Sequence, residues 1–229
     1  MNVALILSGG VGTRLGGEIP KQYRMAGGRP VIAYCLETLG KHEEIDAIQI
    51  VADPAWQEFI MENGEPLWKQ KFRGFSLPGE NRQLSIYHGV QDIRKFAADG
   101  DVVLIHDAAR PLLSENLISD CFKGMDGYEG VLPVLPMKDT VYLSENGEEI
   151  SGLLDRRQIF AGQAPEAFRL GSYYQANESL LPDRIKQING STEPAILAGM
   201  KIRMISGDER NFKITTMQDL IRFEEIITK

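Results

Sequence analysis

The chain has 229 residues, enough for one sizeable core, with 25 basic against 32 acidic side chains and a net charge of −7. No basic run occurs anywhere, so the electrostatic footprint of a nucleic-acid binder is missing, and isolated cations in an acidic chain point instead to a local anion site. The N-terminal apolar run is too short for a signal peptide and nothing is apolar enough for a membrane span, so a cytoplasmic protein without membrane contact is expected.

Val3-Ala4-Leu5-Ile6-Leu7 reads as a buried strand. It empties into Ser8-Gly9-Gly10-Val11-Gly12-Thr13-Arg14-Leu15-Gly16-Gly17, five glycines within nine residues, followed by Pro20-Lys21-Gln22. Bare backbone N–H groups with Arg14 and Lys21 beside them make a polyphosphate cradle. Two common phosphate loops fail letter by letter. Gly12 and Gly17 have the P-loop spacing, but Glu18-Ile19 follows instead of Lys-Ser/Thr. After Gly10-Val11-Gly12, Leu15 stands where the dinucleotide fingerprint requires glycine. A glycine-rich β-to-α connection would explain the glycines alone, but not the two cations.

The spacing then predicts a helix from Pro30 to Leu39 ended by Gly40, and a strand Ala47–Ala52. Asp53-Pro54 opens a helix to Met61, with a second amphipathic piece to about Lys71. Phe75-Ser76-Leu77 is a short strand, and Gly79-Glu80-Asn81 caps a helix from Arg82 to about Ala97. Val102–Ile105 is the clearest buried strand; it ends at His106-Asp107-Ala108-Ala109-Arg110-Pro111, and Ser114 caps the next helix. Gly130–Leu135 is another strand. Strands alternating with helices at this interval predict an α/β fold with a doubly wound, mainly parallel sheet.

The alternation breaks from about 138 to 162, where Thr140–Leu143, Asn146-Gly147 and Glu149-Ile150 read as a hairpin. Such an excursion is too small to fold alone, and an arm exchanged with a second subunit would cover it. A helix is expected from Pro165-Glu166-Ala167-Phe168 to about Leu180, a shorter one at Thr192–Ala198, and a last strand at Lys201–Ile205. Asn211-Phe212-Lys213-Ile214-Thr215 leads into a C-terminal helix capped by Thr216 with Asp219. No repeat or linker appears, so one domain over 1–229 is expected. Cys35 and Cys121 fall in helical patterns outside any ligand spacing, and the three histidines are scattered.

Ligands bind at the carboxyl ends of strands in such sheets, which puts the loops after Leu7, Leu77, Ile105 and Leu135 on one rim. Singly, Asp107 could merely cap a helix and Arg110 could be its ordinary partner. Together these loops suggest transfer to or from a nucleotide phosphate. They offer a backbone nest, two or three cations (Arg14, Lys21, Lys213), and an aspartate, Asp107, able to hold Mg²⁺ against phosphate oxygens. No paired catalytic base is visible, as suits a nucleophile that is already an ionised phosphate.

Ser8-Gly9-Gly10-Val11-Gly12-Thr13-Arg14 with Pro20-Lys21-Gln22, Arg82 with Ser85, His106 to Pro111, Asp139-Thr140, Asp155-Arg156 and Asn211 to Thr215 resemble, in order and spacing, the polyol-phosphate cytidylyltransferases. The resemblance runs from Val3 to the C-terminus. It implies a Rossmann-like nucleotidyltransferase with an arm, usually a homodimer, that uses CTP, a polyol phosphate and Mg²⁺ and gives a CDP-polyol and pyrophosphate. Arg14, Lys21 and Lys213 would be catalytic, holding the triphosphate and the charge of the transition state. Ser8, Gly9, Gly10, Gly12, Gly79 and Ser85 would bind the nucleotide, with Asp107 at the metal and ribose. Thr140 and Arg156 would take the acceptor phosphate, Arg156 reaching from the partner subunit.

The chain departs from the family pattern where Ala164-Pro165-Glu166 replaces Thr-Pro-Gln and where Asn189-Gly190-Ser191, before Thr192-Glu193, replaces a Thr-Asp or Asp-Asp pair. His106–Pro111 looks like the enzymes acting on methylerythritol phosphate, the acceptor expected here, in isoprenoid precursor synthesis. Gly9-Gly10 and Gly162-Gln163 look like those acting on ribitol 5-phosphate, the alternative. A non-catalytic nucleotide-binding protein needs fewer cations than Arg14, Lys21 and Lys213 supply. A UTP- or GTP-dependent sugar-phosphate enzyme shares the glycine loop but not the Asp-Ala-Ala-Arg-Pro strand end.

Overall fold

Continuous apolar runs set the centre of the sheet in the computed structural model, which describes residues 1–10, 19–63 and 66–228. Strand β1 (Asn2–Leu7) is followed by a 3-10 turn at Lys21–Tyr23, a small hairpin of β2 (Met25–Ala26) and β3 (Arg29–Pro30), and helix α1 (Val31–Lys41). Next come β4 (Ala47–Val51), α2 (Pro54–Glu62), α3 (Pro66–Lys71), β5 (Phe72–Ser76) and α4 (Arg82–Ile93). The alternation ends with β6 (Val102–Asp107), α5 (Glu115–Gly124) and β7 (Gly130–Pro136). Beyond lie β8 (Val141–Leu143), β9 (Gly152–Leu154), β10 (Phe160–Gly162), β11 (Glu166–Arg169), α6 (Leu170–Glu178), α7 (Glu193–Leu197), β12 (Ile202–Ser206) and α8 (Met217–Ile227).

Strands β5, β4, β1 and β6 run parallel in that order; β11 lies antiparallel between β6 and β7, and β12 pairs parallel with β7. The central strands are buried on both faces, which is why they read as unbroken apolar runs. Ala4 and Ile6 of β1, with Val102 and Leu104 of β6, pack beside Leu36, Trp68 and Ile118. Val3 and Leu5, with Val103 and Ile105, pack on the other face beside Ile86, Val90 and Tyr173. The mainly parallel, doubly covered sheet and its excursion match the expected fold class.

Local capping follows the sequence closely. Asn81 accepts from the Leu84 N–H at 2.8 Å, Ser114 from Leu117 at 3.3 Å, and Thr216 and Asp219 form a reciprocal capping box. Gly40 does not end α1 but lies inside it, and a Cβ there would come within 2.7 Å of the Trp68 backbone. Its role is close approach of α1 and α3. Helix α4 stops at Ile93, short of Ala97.

Two larger corrections fall in the second half. Pro165–Phe168 is not the start of a helix: Glu166–Arg169 forms β11, hydrogen-bonded to β6 on one side and β7 on the other, and the helix begins at Leu170. Pairing with two distant strands overrides the local helical pattern. The hairpin exists, but its second strand is Gly152–Leu154 rather than Glu149-Ile150. Asn146 accepts from the N–H groups of Glu148 and Glu149, which widens the turn beyond two residues, and the Ser151 N–H closes it on the Leu143 carbonyl at 2.8 Å. Segment 160–162, at the end of the excursion, is β10, antiparallel to β7.

Candidate active site

The ends of β1, β5 and β6 and the segment before α8 enclose a cleft of about 360 Å³. Gly9 and Gly10 follow β1, Gly79 to Arg82 follow β5, Asp107 and Ala109 close β6, and Lys21, Gln22, Ser85, Lys213 and Thr215 complete the lining. The walls stand close because their residues are small. A Cβ on Gly9 would meet the Pro78 Cβ at 2.6 Å, and one on Gly79 would meet the Leu84 Cβ at 2.4 Å. Glycine here allows the two loops to touch.

Side chains behind this wall hold its shape. Gln22 Nε2 donates to the carbonyls of Ser8 (2.7 Å) and Gly10 (2.8 Å), and the buried Tyr23 hydroxyl donates to the Ser8 carbonyl at 2.9 Å. Ser8 Oγ is turned inward to Tyr23 at 2.8 Å, so Ser8 supports the loop rather than facing the cleft. Ser85 Oγ accepts from the Gly79 N–H at 3.0 Å and donates to the Asn81 carbonyl at 2.8 Å, pinning the β5–α4 turn from the first turn of the helix.

Asp107 is the electrostatic centre. Its Oδ1 accepts from Arg82 Nε (3.2 Å) and NH2 (3.1 Å), while Oδ2 faces Lys213 Nζ at 2.9 Å and Arg110 Nε at 3.6 Å. Burial alone would raise this carboxyl, but Arg82, Lys213 and Arg110 outweigh burial and hold it far below the usual carboxylate range. Lys213 is brought in by backbone pinning: the Ile214 N–H donates to the Ala109 carbonyl at 2.8 Å, and Arg110 NH1 donates to the Asn211 carbonyl at 2.7 Å. His106, fully buried beneath, is driven down to about 4 by that burial and stays neutral, donating from Nε2 to the Arg110 carbonyl at 3.0 Å.

A second hollow, also about 360 Å³, shares Arg82, Asp107 and Lys213 with the first and extends past Arg110 to Gly162, Ala164, Glu166 and the 189–192 loop. Glu166 lies at this rim because β11 is antiparallel: the first residue of β11 pairs with Ile105, two residues before Asp107. Ser191 Oγ donates to Glu166 Oε1 at 2.6 Å, Thr192 Oγ1 to Oε2 at 3.0 Å, and Arg82 NH1 donates to Ser191 Oγ at 2.9 Å. Burial raises the Glu166 carboxyl, with Arg82 and the two hydroxyls opposing.

Of the residues predicted from sequence, Gly9, Gly10, Lys21, Gly79, Ser85, Asp107 and Lys213 therefore converge on one cleft. Arg14 and Gly12 lie outside the described residues. Thr140 and Arg156 do not line the cleft; with Leu153 to Asp155 they border a shallow hollow on the exposed arm, where Arg156 NH1 donates to the Lys138 carbonyl at 2.6 Å. Sequence reasoning gave no role to the Arg82 guanidinium, which joins both hollows, and none to Gln22 or Glu166. The one available signal for Glu166 was a single acid inside the apolar stretch Ala164 to Phe168.

A strand-end cleft lined by Gly9, Gly10 and Gly79 and edged by lysine, arginine and one aspartate suits the phosphates of a nucleotide. On a mainly parallel, doubly covered sheet it defines a nucleotidyltransferase. The chain belongs to the 2-C-methyl-D-erythritol 4-phosphate cytidylyltransferase (IspD) family, whose profile matches residues 2–229. It is thus a cytidylyltransferase, an enzyme that passes CMP from CTP to a phosphorylated polyol. The chain is 34% identical to the 2-C-methyl-D-erythritol 4-phosphate cytidylyltransferase of Geobacter metallireducens, over 98% of this chain and 96% of the relative. It is 29% identical to the ribitol-5-phosphate cytidylyltransferase of Lacticaseibacillus paracasei, over 98% and 97%. The crystal structure of 4-diphosphocytidyl-2C-methyl-D-erythritol synthase from Anaerococcus prevotii superposes with a TM-score of 0.83 over 100% of this chain and 96% of its own, at 23% identity, a likeness of fold.

Proposed function

We propose that the acceptor is 2-C-methyl-D-erythritol 4-phosphate, that CTP fills the first hollow and that the acceptor fills the second. The observation that carries this reading is that the two hollows share Arg82, Asp107 and Lys213, so that a nucleotide in one and a phosphate in the other would meet at those residues. The cytosine would lie against the Gly9 and Gly79 walls, where backbone groups suit its small amide-like edge. The triphosphate would rest on the Gly9-Gly10 backbone with Lys21, joined by Arg14.

An oxygen of the acceptor phosphate, already ionised at neutral pH, attacks the α-phosphorus of CTP; the bond from that phosphorus to the bridging oxygen breaks, and pyrophosphate leaves. No general base is required, and catalysis rests on alignment and on cations offsetting charge at the α-phosphate. Lys21 approaches from the β1 side and Lys213 from the β6 side. Asp107 keeps Lys213 and Arg82 aimed between the hollows.

Among the described residues, no group of three or more His, Cys, Asp or Glu could hold a metal. The donor set suits Mg²⁺ held mainly by substrate phosphates, with Asp107 as the carboxylate shared by the two hollows, a common arrangement for this ion. When bound, the ion would neutralise part of the charge on the substrate phosphates.

The arm supports a homodimer. Tyr142 (56% exposed), Leu143, Ile150 and Leu153 (67%) leave apolar surface on an excursion that cannot cover itself. A partner subunit would cover it, and Thr140 and Arg156 would then reach the partner's acceptor hollow. Ribitol 5-phosphate is the second reading, favoured by the full-length ribitol relative. Pyrophosphate release with CTP, UTP, GTP and ATP against both polyol phosphates and common sugar phosphates tests the choice of nucleotide and acceptor. CTP with methylerythritol phosphate is expected to be the productive pair, and release with no pair would refute the reading.

A further inference from the structure

We infer that Glu166 is a positioning residue: through the Ser191 hydroxyl it fixes the Arg82 guanidinium and the 189–192 loop, and so sets the geometry of the acceptor hollow without touching the nucleotide. The inference rests on the assignment of the second hollow to the acceptor.

The chain of contacts is short and directional. A serine hydroxyl has one proton and lone pairs to accept with. Ser191 gives its proton to Glu166 Oε1 at 2.6 Å, which commits its lone pairs to Arg82 NH1 at 2.9 Å. Arg82 in turn grips Asp107 Oδ1 through Nε and NH2, and the opposite oxygen of Asp107 meets Lys213. Without an acceptor at position 166 the Ser191 hydroxyl could turn its proton toward the guanidinium, and the link to Arg82 would be lost.

Glu166 also anchors the loop. Thr192 Oγ1 donates to its second oxygen at 3.0 Å, and the Tyr173 hydroxyl donates to the Ser191 carbonyl at 2.7 Å. The loop forms part of the acceptor hollow and none of the nucleotide cleft. A carboxylate is costly to keep at 7% exposure unless its hydrogen bonds are made, and all of those it makes here run to this loop. Arg82 lines both hollows but keeps its two contacts to Asp107 when the Ser191 link is cut, so disturbing Glu166 should act chiefly on the acceptor.

The test compares E166Q, E166L and S191A with the parent enzyme by steady-state kinetics in both substrates. Gln can still accept from Ser191, so E166Q is expected to stay near the parent. E166L and S191A are expected to raise the acceptor KM roughly tenfold, the scale of one lost charge-assisted hydrogen bond, with the CTP KM little changed. The double variant E166L/S191A should be no worse than E166L, since E166L already cuts the link through Ser191. If E166L fails to fold, S191A carries the same expectation. A readout independent of turnover is hydrogen exchange at Arg82 Nε in arginine-labelled protein, with the resonance assigned by its loss in R82K; exchange should quicken in S191A and E166L and not in E166Q. Acceptor and CTP constants moving together, an unchanged S191A, or E166Q as damaging as E166L would overturn the inference. A parent enzyme inactive with every acceptor would refute the acceptor assignment instead, and Arg82 exchange would still decide the relay.

Discussion

Lys213 Nζ stands 2.9 Å from Asp107 Oδ2, joining the segment that precedes the last helix to the end of the central strand β6. In the reaction proposed above the contact spans the reacting phosphates, and each partner has its own expected role: Asp107 the order of the cations, Lys213 charge at the phosphate.

Asp107→Asn tests the first role. Removing one charge of a buried cluster leaves Arg82, Arg110 and Lys213 without their carboxylate, a loss of about 3 kcal/mol near neutral pH. Because the folded-state carboxyl lies far below its usual range, its contribution is fully present above the unfolded value of about 3.9 and is lost as pH falls below it. Urea unfolding from neutral pH downward should show the parent losing its advantage over Asp107→Asn in that acid range. Parallel curves at every pH would exclude Asp107 as the source.

Lys21→Ala and Lys213→Ala test the second role. Each is expected to lower kcat by at least roughly a hundredfold, the scale of one charge contact made in the transition state, with a smaller change in the CTP KM. Lys213→Ala leaves Asp107 held by Arg82, so its unfolding midpoint should move less than that of Asp107→Asn. Near-normal pyrophosphate release from either variant would remove that lysine from the mechanism.

The extent to which these features could be read beforehand follows from the range of the forces involved. Strands β1 and β6 are legible because burial on both faces leaves an unbroken apolar run, and Asn81, Ser114 and Thr216 are legible because a cap acts within one turn. The Lys21, Asp107 and Lys213 positions could be found because each sits in an unusual loop at a strand end. Strand β11 was not legible: Pro165-Glu166 has the look of a first helical turn, and only pairing with β6 and β7 makes it a strand. The link from Glu166 through Ser191 to Arg82 depends on that antiparallel insertion, so no local pattern announces it.

Gly9→Ala probes the nucleotide wall alone. Its Cβ would come within 2.6 Å of the Pro78 Cβ, between the loops after β1 and β5, so one loop must retreat. Overpacking of this kind costs about 1–3 kcal/mol. The expected result is a raised CTP KM with the acceptor KM near the parent value, the mirror image of Ser191→Ala. Equal shifts in both constants would show that the two hollows are not independently walled.

The arm's role turns on Arg156, which is exposed, bonded to the Lys138 carbonyl and absent from the cleft of its own chain. If the partner's arm completes each acceptor hollow, Arg156→Ala and Lys21→Ala damage different halves of one site. Each homodimer should be nearly inactive. In a mixed dimer one site carries both lesions while the other carries neither, so denaturing and refolding an equimolar mixture should restore about a quarter of the parent activity, since half of the randomly formed dimers are mixed and each has one intact site. Sedimentation of the same sample checks that dimers have formed. Recovered dimers without recovered activity would place Arg156 in the site of its own chain, or outside it.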